Sequence, residues 1–335
     1  MPSPHHHNKQ KRPIKDAASE SRPLPRTKKV LGQHWLSDPA IIQAIVDAVD
    51  ITPKDTVVEI GPGPGILTEP LAKKNPQMLH AIELDKRLAE RLEEQFEANP
   101  KVTIHRGDIL AFDYSTIGET EPIQRKEEPE KEQEKSAPHH HPTPFKIIGN
   151  LPYQITSLIL FHLFGELDDT QHPWRHRIQS ATLMIQKEVA DRLMAKPSTK
   201  GYNALSIYAQ LLCDVTHIVD VPPKAFRPPP KVNSAVVQLT PLTQPRYHIT
   251  NPTRLKTLIK TAFQQRRKTL RNSLQPLLND TLQAELFSKI EQSPTEPYPL
   301  DRPLTQLRPD AIPIPTWVTL ANEWEAYLTQ SNPSS

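Results

Sequence analysis

A doubly wound α/β domain followed by a smaller, mainly helical one is the fold this sequence predicts, on three observations. Short apolar runs of strand length alternate with amphipathic segments of helix length between residues 39 and 240, the pattern of a mostly parallel sheet covered on both faces. A glycine-rich loop, GPGPG at 61–65, joins the first long buried strand to the helix after it. From about residue 250 the apolar period becomes helical, with prolines and turns through 293–315. The chain divides accordingly into a basic, disordered tail at 1–26, a first domain at 27–245 with a disordered insertion at 118–144, and a helical domain at 250–330.

The elements follow in order. Asp38 precedes PAIIQAIVDAV, so its carboxylate is placed to cap that helix, with Pro39 at the first position. TVVEI (56–60) reads as a buried strand and ILTEPLAKK as the helix beyond the glycine loop. MLHAIE is a second strand, KRLAERLEEQFEA a helix, KVTIHR a third strand and FKIIG a fourth. Between the third and fourth, residues 118–144 carry seven Glu, four Lys or Arg and five Pro with almost nothing apolar, a composition that cannot build a core. After Asn150 come an amphipathic helix, the strand ATLMIQ, helices at KEVADRLMA and YNALSIYAQLL, and the strands VTHIVDV and SAVVQLT. The last two are suited to pair as a hairpin at a sheet edge. RLKTLIKTAFQQRRKTLR (254–271) has apolar residues at helical spacing, seven basic residues and no acid, so it reads as one helix with a charged outer face.

Bulk composition excludes some classes. The 335 residues carry 41 Lys and Arg against 38 Asp and Glu, a net charge of only +3, so partners are to be read from where charge sits: the first 30 residues, with eight basic and two acidic side chains, and the 254–271 segment. Cys213 is the single cysteine, in the apolar stretch YAQLLCDV, and one thiol makes neither an internal disulfide nor a thiolate metal cluster. No run of 18 apolar residues suggests a membrane span, and the opening residues lack the apolar core of a secretory signal. A cytoplasmic, monomeric protein is expected. The histidine triplets at 5–7 and 139–141 lie in flexible-looking segments and name no evolved metal site.

The chemistry gathers at strand ends. VVEIGPGPGILT sets Gly61, Gly63 and Gly65 between a strand and a helix, where the chain must turn tightly and come close to a ligand. The spacing is G-x-G-x-G and not the dinucleotide fingerprint G-x-G-x-x-G; after an acidic residue it looks like the first motif of S-adenosylmethionine-dependent methyltransferases. Glu83 ends the second strand and Asp108 follows the third. Each acid alone also suits a helix cap. Together they converge on the crevice where open sheets bind ligands: Glu83 is positioned for ribose hydroxyls, Asp108 for an adenine amino group and Ile109 for the ring. In GNLPYQITS, Pro152 supplies no N–H and pushes Leu151 to an extended backbone. Asn150 Oδ1 and the Leu151 carbonyl then suit an exocyclic amine, and Tyr153 offers a flat face. Phe226, in FRPPP, and Tyr153 each also suit a core position.

These residues carry a resemblance. VLGQHWLSD, VVEIGPGPGILT, AIELD, GDIL, GNLPYQITS, MIQKEVADRL, YNALSIYAQ and VPPKAFRPPPKVNSAVV resemble the ribosomal RNA adenine N6-dimethyltransferase family, most nearly its bacterial branch acting on small-subunit (16S) rRNA. The likeness covers roughly residues 27–290, apart from the insertion. It implies a Rossmann-like methyltransferase sheet with a helical C-terminal domain, and S-adenosylmethionine as cofactor. The implied cofactor residues are Gln33, His34, Leu36, Gly61, Gly63, Gly65, Glu83, Asp108, Ile109 and Asn150. The target adenine would be held by Asn150, Leu151, Pro152 and Tyr153, with Phe226 stacked on its opposite face. AFQQRRKTLRNSL resembles the family's basic C-terminal helix, which implies RNA contacts by Arg266, Arg267, Lys268 and Arg271. The implied product is a pair of adjacent N6,N6-dimethyladenosines in the terminal hairpin of small-subunit rRNA, within a pre-30S particle. Large-subunit dimethylation at one adenine and an assembly factor with secondary methylation are the competing expectations. One departure stands out: His34-Trp35 replaces the Asn-Phe common in the family.

Overall fold

The computed structural model describes residue 25 and residues 34–118, 143–292 and 302–331. The tail and most of the insertion expected at 118–144 lie outside the described residues, as do Gln33 and both histidine triplets. Strand β1 (Trp35–Leu36) and helix α1 (Pro39–Ala48) open the described chain. Asp38 caps α1 by accepting the N–H groups of Ala40 and Ile41. Then follow β2 (Thr56–Ile60), α2 (Thr68–Lys73), β3 (Met78–Glu83), α3 (Lys86–Phe96), β4 (Val102–Arg106) and β5 (Phe145–Asn150). The first three of these strands span the same residues that the sequence predicts or come within one of them.

Beyond β5 lie α4 (Thr156–Phe164), β6 (Ile178–Gln186), α5 (Lys187–Leu193), α6 (Ala204–Leu212), β7 (Cys213–Val221), the short β8 (Phe226–Arg227) and β9 (Ser234–Pro241). The seven-stranded sheet has the order β4-β3-β2-β5-β6-β9-β7. Its first five strands are parallel, and β9 runs antiparallel to both β6 and β7. The expected edge pair is therefore present, with β9 inside and β7 at the rim. From β2 the chain steps outward to β3 and β4 on one side, and β5 lies on the other. That reversal opens a crevice at the carboxyl ends of β2 and β5.

Continuous apolar runs arise because both sheet faces are covered. Val58 and Ile147 enter one core, with Leu160 and Leu163 of α4 and Leu193 of α5. Their chain neighbours Val57 and Ile148 enter the opposite core, with Ile41, Ile45 and Val46 of α1. Each buried aliphatic side chain contributes about 1.5–3 kcal/mol, so a one-residue slip in either strand would forfeit several at once.

The helical region consists of α7 (Pro252–Gln264), α8 (Leu270–Leu274), α9 (Asp280–Glu291) and α10 (Ile314–Ser331). Its core takes in Tyr202, Ile207 and Leu211 beside Leu258, Ile259 and Trp317. The division expected between 245 and 250 falls in the link from β9 to α7, yet this core reaches back across it to α6. The single helix expected over 254–271 is corrected to two. α7 ends where Gln265 leaves helical geometry (φ −120°, ψ 46°), and the Thr269 side chain caps α8 by accepting from Asn272. Residues 264–268, QQRRK, supply no apolar group to hold the helix down, while a Thr N-cap favours a fresh start.

One buried cation ties the margins of the insertion. Arg177 Nη1 donates to the carbonyls of Tyr114 and Ser115, and Nη2 to those of Ile117 and Thr143. Its Nε also donates to Thr143, and the guanidinium lies 5.3 Å from the Phe145 ring centre. The chain thus leaves after Gly118 and returns at Thr143 beside the same side chain, away from the crevice.

Candidate functional site

Strand ends and three loops enclose a cavity of about 330 Å3 at the crevice. The glycine loop forms its floor. Gly61, Gly63 and Gly65 all have left-handed backbones, with φ of 65°, 59° and 89°, where an L-residue costs about 1–2 kcal/mol. At Gly63 a Cβ would also stand 2.8 Å from the Trp35 ring, and at Gly65 2.9 Å from Leu92. The loop is therefore bare backbone for two reasons, conformation and space. Trp35 is itself held by its indole N–H, which donates to the Pro25 carbonyl at 3.0 Å.

Glu83 braces this floor. Its Oε2 accepts the Gly63 N–H at 2.9 Å and its Oε1 accepts the Asp85 N–H at 2.7 Å. A carboxylate has about four lone-pair sites, so two donors leave room for a pair of hydroxyls. Burial pushes its carboxyl above the usual range, against the pull of those backbone donors. Glu59, beneath it in β2, is 1 % exposed and is pushed up to about 8 by burial, with the neighbouring charge of Glu83 adding to the rise. Glu59 is among the residues lining the cavity, with the Thr68 side chain beside its buried carboxyl.

Asp108 stands at the mouth, its Oδ1 accepting the Leu110 N–H at 2.9 Å. Ile109 is buried at the lining. Leu84 beside them is 58 % exposed at the cavity lining. It stands in the AIELD motif, which gave it no role.

The opposite wall comes from β5 and two distant segments. Asn150 ends β5, and its Nδ2 donates to the His34 carbonyl at 3.4 Å. That bond orients the amide, leaving Oδ1 as the acceptor. Leu151 is buried, its N–H bonded to the Met184 carbonyl. Tyr153 shares a 2.6 Å hydrogen bond with the Ser234 hydroxyl, and burial pushes its phenol up. Ser234 is fully buried at the start of β9 and anchors the ring; it stands inside the motif VPPKAFRPPPKVNSAVV, where nothing local marks it for a role.

Most of the expected cofactor and adenine residues that fall in the described part line this one cavity: His34, Leu36, Gly61, Gly63, Glu83, Asp108, Ile109, Asn150, Leu151, Pro152 and Tyr153. Gly65 lies just beyond, under α3. Phe226 is the exception and is not among the residues that line the cavity. It is 2 % exposed and packs in the core with Leu36, Val221 and Val236. Strand β8 pairs with β1, placing Leu36 opposite Phe226 and Trp35 opposite Arg227, and the alternation of a strand sends Phe226 inward and Arg227 out.

The basic segment divides as well. Arg266 bonds Asp310 and the Lys200 carbonyl, and Arg271 bonds Asp280. Arg267 and Lys268 are exposed in the turn between α7 and α8.

The residues suit a nucleoside cofactor: an open backbone floor with a carboxylate beside it whose two backbone donors leave lone pairs free. Comparison with known proteins agrees. The family model described as "Ribosomal RNA adenine dimethylase" matches residues 25–295. Curated relatives called ribosomal RNA small subunit methyltransferase A include that of Shewanella frigidimarina, 38% identical over 295 residues, 88% of this chain and 93% of the relative. That of Laribacter hongkongensis is 40% identical over 260 residues, 78% and 86% of the two chains. Among solved structures, a dimethyladenosine transferase from Plasmodium falciparum superposes with a TM-score of 0.62 at 23% identity, covering 88% of this chain and 98% of its own. The 23S rRNA methyltransferase ErmE does so with a TM-score of 0.58 at 22% identity, over 87% and 99%. At such identities the two structures speak for the fold alone.

Proposed function

Because this chain belongs to the ribosomal RNA adenine dimethylase family, we propose that it methylates N6 of two adjacent adenosines in the terminal hairpin of small-subunit rRNA, within a pre-30S particle. It is a methyltransferase dependent on S-adenosylmethionine, which when bound supplies an electrophilic methyl group. The proposed setting is the cytoplasm, and the proposed working form is a monomer. No helix among the described residues is long and apolar enough to cross a membrane.

The observation that carries the reading is the acceptor wall. Asn150 Nδ2 donates one of its two hydrogens to the His34 carbonyl, which fixes the amide so that Oδ1 is the group offered to a donor, as an exocyclic amine requires. The adenine amino nitrogen is a poor nucleophile because its lone pair is delocalised into the ring. Acceptors on its hydrogens, Asn150 Oδ1 and the neighbouring main-chain carbonyls, favour the pyramidal form whose lone pair is free to attack. The amine becomes cationic on methylation and then loses its proton readily, so no strong base is needed. Rate comes from proximity and from hydrogen bonds that strengthen as charge develops. In the second round one N–H remains to guide the amine, and space in the pocket matters more.

Glu83 would hold the ribose, Asp108 and Ile109 the adenine rim, and the Gly61–Gly65 loop the tail of the cofactor. For RNA, the exposed Arg267 and Lys268 are the proposed phosphate contacts. Arg266 and Arg271, paired with Asp310 and Asp280, serve first to shape the turn. The function named for the curated relatives favours the small subunit over the large. The test is transfer of labelled methyl groups to small subunits lacking the hairpin modification, beside large subunits, followed by nucleoside analysis. Label in large-subunit RNA would move the address, and tight binding of small subunits without transfer would make assembly the primary role.

A further inference from the structure

Residues 221–279 hold eleven Lys and Arg and no acid. Five of these cations pair with carboxylates outside the stretch: Arg246 with Asp214, Arg254 with Glu325, Lys256 with Glu166 and Asp168, Arg266 with Asp310 and Arg271 with Asp280. The other six are exposed and make no ion pair with any described residue. Lys260, Arg267 and Lys268 belong to the helical region, whereas Lys224, Arg227 and Lys231 share one short loop between β7 and β9. We propose that Lys224, Arg227 and Lys231 form a phosphate-binding strip for the RNA strand that enters the cavity, an inference that rests on the methyltransferase reading above.

This loop runs along the rim of the cavity. Near its start, Ser37 donates both its N–H and its hydroxyl to the Ala225 carbonyl, and Arg227 pairs in register with Trp35. In its middle the Pro228 carbonyl lies 2.8 Å from His34 Nδ1, and at its end Ser234 holds the Tyr153 hydroxyl. His34, Trp35 and Tyr153 all line the cavity. Strand β8 turns Phe226 into the core, so its neighbour Arg227 faces solvent. Pro228, Pro229 and Pro230 have their φ angles fixed by their rings, and Lys231 follows on that stiff support. Exposed like charges with no acid between them repel one another in the free protein, and an anion relieves that repulsion. A nucleic acid backbone offers anions in a row, which cations strung along a rim fit.

A target adenosine must leave its stack to reach the cavity, and unstacking has to be offset by other contacts. Phosphate contacts beside that nucleotide carry no sequence information, but they fix the strand's register and orientation over the site. Lys224, Arg227 and Lys231 are positioning residues of this kind. They act on the strand at the cavity, apart from the proposed contacts of Arg267 and Lys268 on the helical region.

Equilibrium binding to small subunits lacking the hairpin modification, measured across salt concentrations, tests the strip. Wild type is compared with the triple variant Lys224→Ala, Arg227→Ala, Lys231→Ala and with the charge-keeping triple Lys224→Arg, Arg227→Lys, Lys231→Arg. Each phosphate neutralised on an unpaired strand contributes about 0.7 to the salt slope, so the alanine triple should be shallower by about 2. Between about 50 and 200 mM salt, wild type should then lose about 20-fold more affinity than the alanine triple. The charge-keeping triple should keep the wild-type slope, and all three proteins should bind S-adenosylmethionine alike by calorimetry, a check on their fold. An alanine triple with the wild-type slope overturns the strip; if its binding is nonetheless weaker, the loop meets a protein of the particle instead. A charge-keeping triple as weak as the alanine triple also overturns it, because shape and not charge would then matter. Methyl transfer by wild type to the same subunits is recorded in parallel. Its absence overturns the functional reading, whereas normal transfer beside an unchanged slope overturns the strip alone.

Discussion

The two walls of the cavity are built by different means. The proposed cofactor wall is local: Gly61, Gly63, Glu83 and Asp108 sit at the carboxyl ends of the neighbouring parallel strands β2, β3 and β4, and the hydrogen bond from Gly63 to Glu83 spans 20 residues of chain. The proposed acceptor wall is assembled from afar. Asn150 meets His34 across 116 residues, Tyr153 meets Ser234 across 81, and His34 meets Pro228 across 194. The first wall is fixed by paired strand ends. The other depends on three segments arriving together, so its chemistry should be more sensitive to single changes.

Substitutions can break that comparison. The largest effect is expected for Asn150→Ala, which removes the oriented acceptor: a rate loss on the order of 10^2-fold, the cost typical of deleting one positioned polar group at a reacting centre. Rapid-quench transfer assays read it directly, and an unimpaired variant would remove Asn150 from the acceptor site. On the cofactor wall, Gly63→Ala places a Cβ at φ 59° and 2.8 Å from Trp35. Calorimetry should show cofactor affinity reduced by at least about tenfold, from backbone strain of about 1–2 kcal/mol plus displacement of the indole. Normal affinity would mean that the loop tolerates a side chain and that its bareness has no bearing on binding.

A smaller effect tests the electrostatics beneath the floor. Glu59 is pushed from 4.5 up to about 8 in the folded protein. Its proton is retained in the native state where the unfolded chain has released it. Its contribution to stability is thus fully present below about pH 4.5 and is lost as pH rises through 8, by at most about 1.4 kcal/mol per pH unit. Glu59→Gln should flatten that part of the melting-temperature profile between pH 5 and 8 without a penalty at the alkaline end. Parallel profiles for the two proteins would place the ionised carboxylate in the fold after all. Smallest of all, replacing Arg267 and Lys268 by Ala should leave cofactor affinity alone and lower the salt slope of subunit binding by roughly 0.7 to 0.9 for each phosphate no longer neutralised. An unchanged slope would put the RNA face elsewhere.

The difference between the walls also explains what the sequence made legible. β2, β3 and the cap at Asp38 were readable because burial pattern and capping chemistry are local. That Gly61, Gly63, Glu83 and Asp108 share one cavity was readable for the same reason: they follow successive strands at one end of a sheet. The burial of Phe226 was not readable, because an aromatic just ahead of three prolines looks like a loop residue. Only the pairing of β8 with β1, two segments far apart in the chain, shows that its side chain points to the core. Ser234 and Pro228 carry no local signal, since a buried hydroxyl or a bound carbonyl is defined by its partner. The basic run 254–271 was legible as charge but not as shape; Thr269, an N-cap residue in mid-run, was the available sign that the helix restarts.

Whether this cavity dimethylates adenines of the small subunit is settled most directly by labelled-methyl transfer from S-adenosylmethionine to small subunits lacking the hairpin modification, with the product mapped to nucleosides and positions. The expected product is N6,N6-dimethyladenosine at two adjacent positions of small-subunit rRNA, with none in large subunits. Label confined to the large subunit, or no dimethyladenosine in either, would refute the reading.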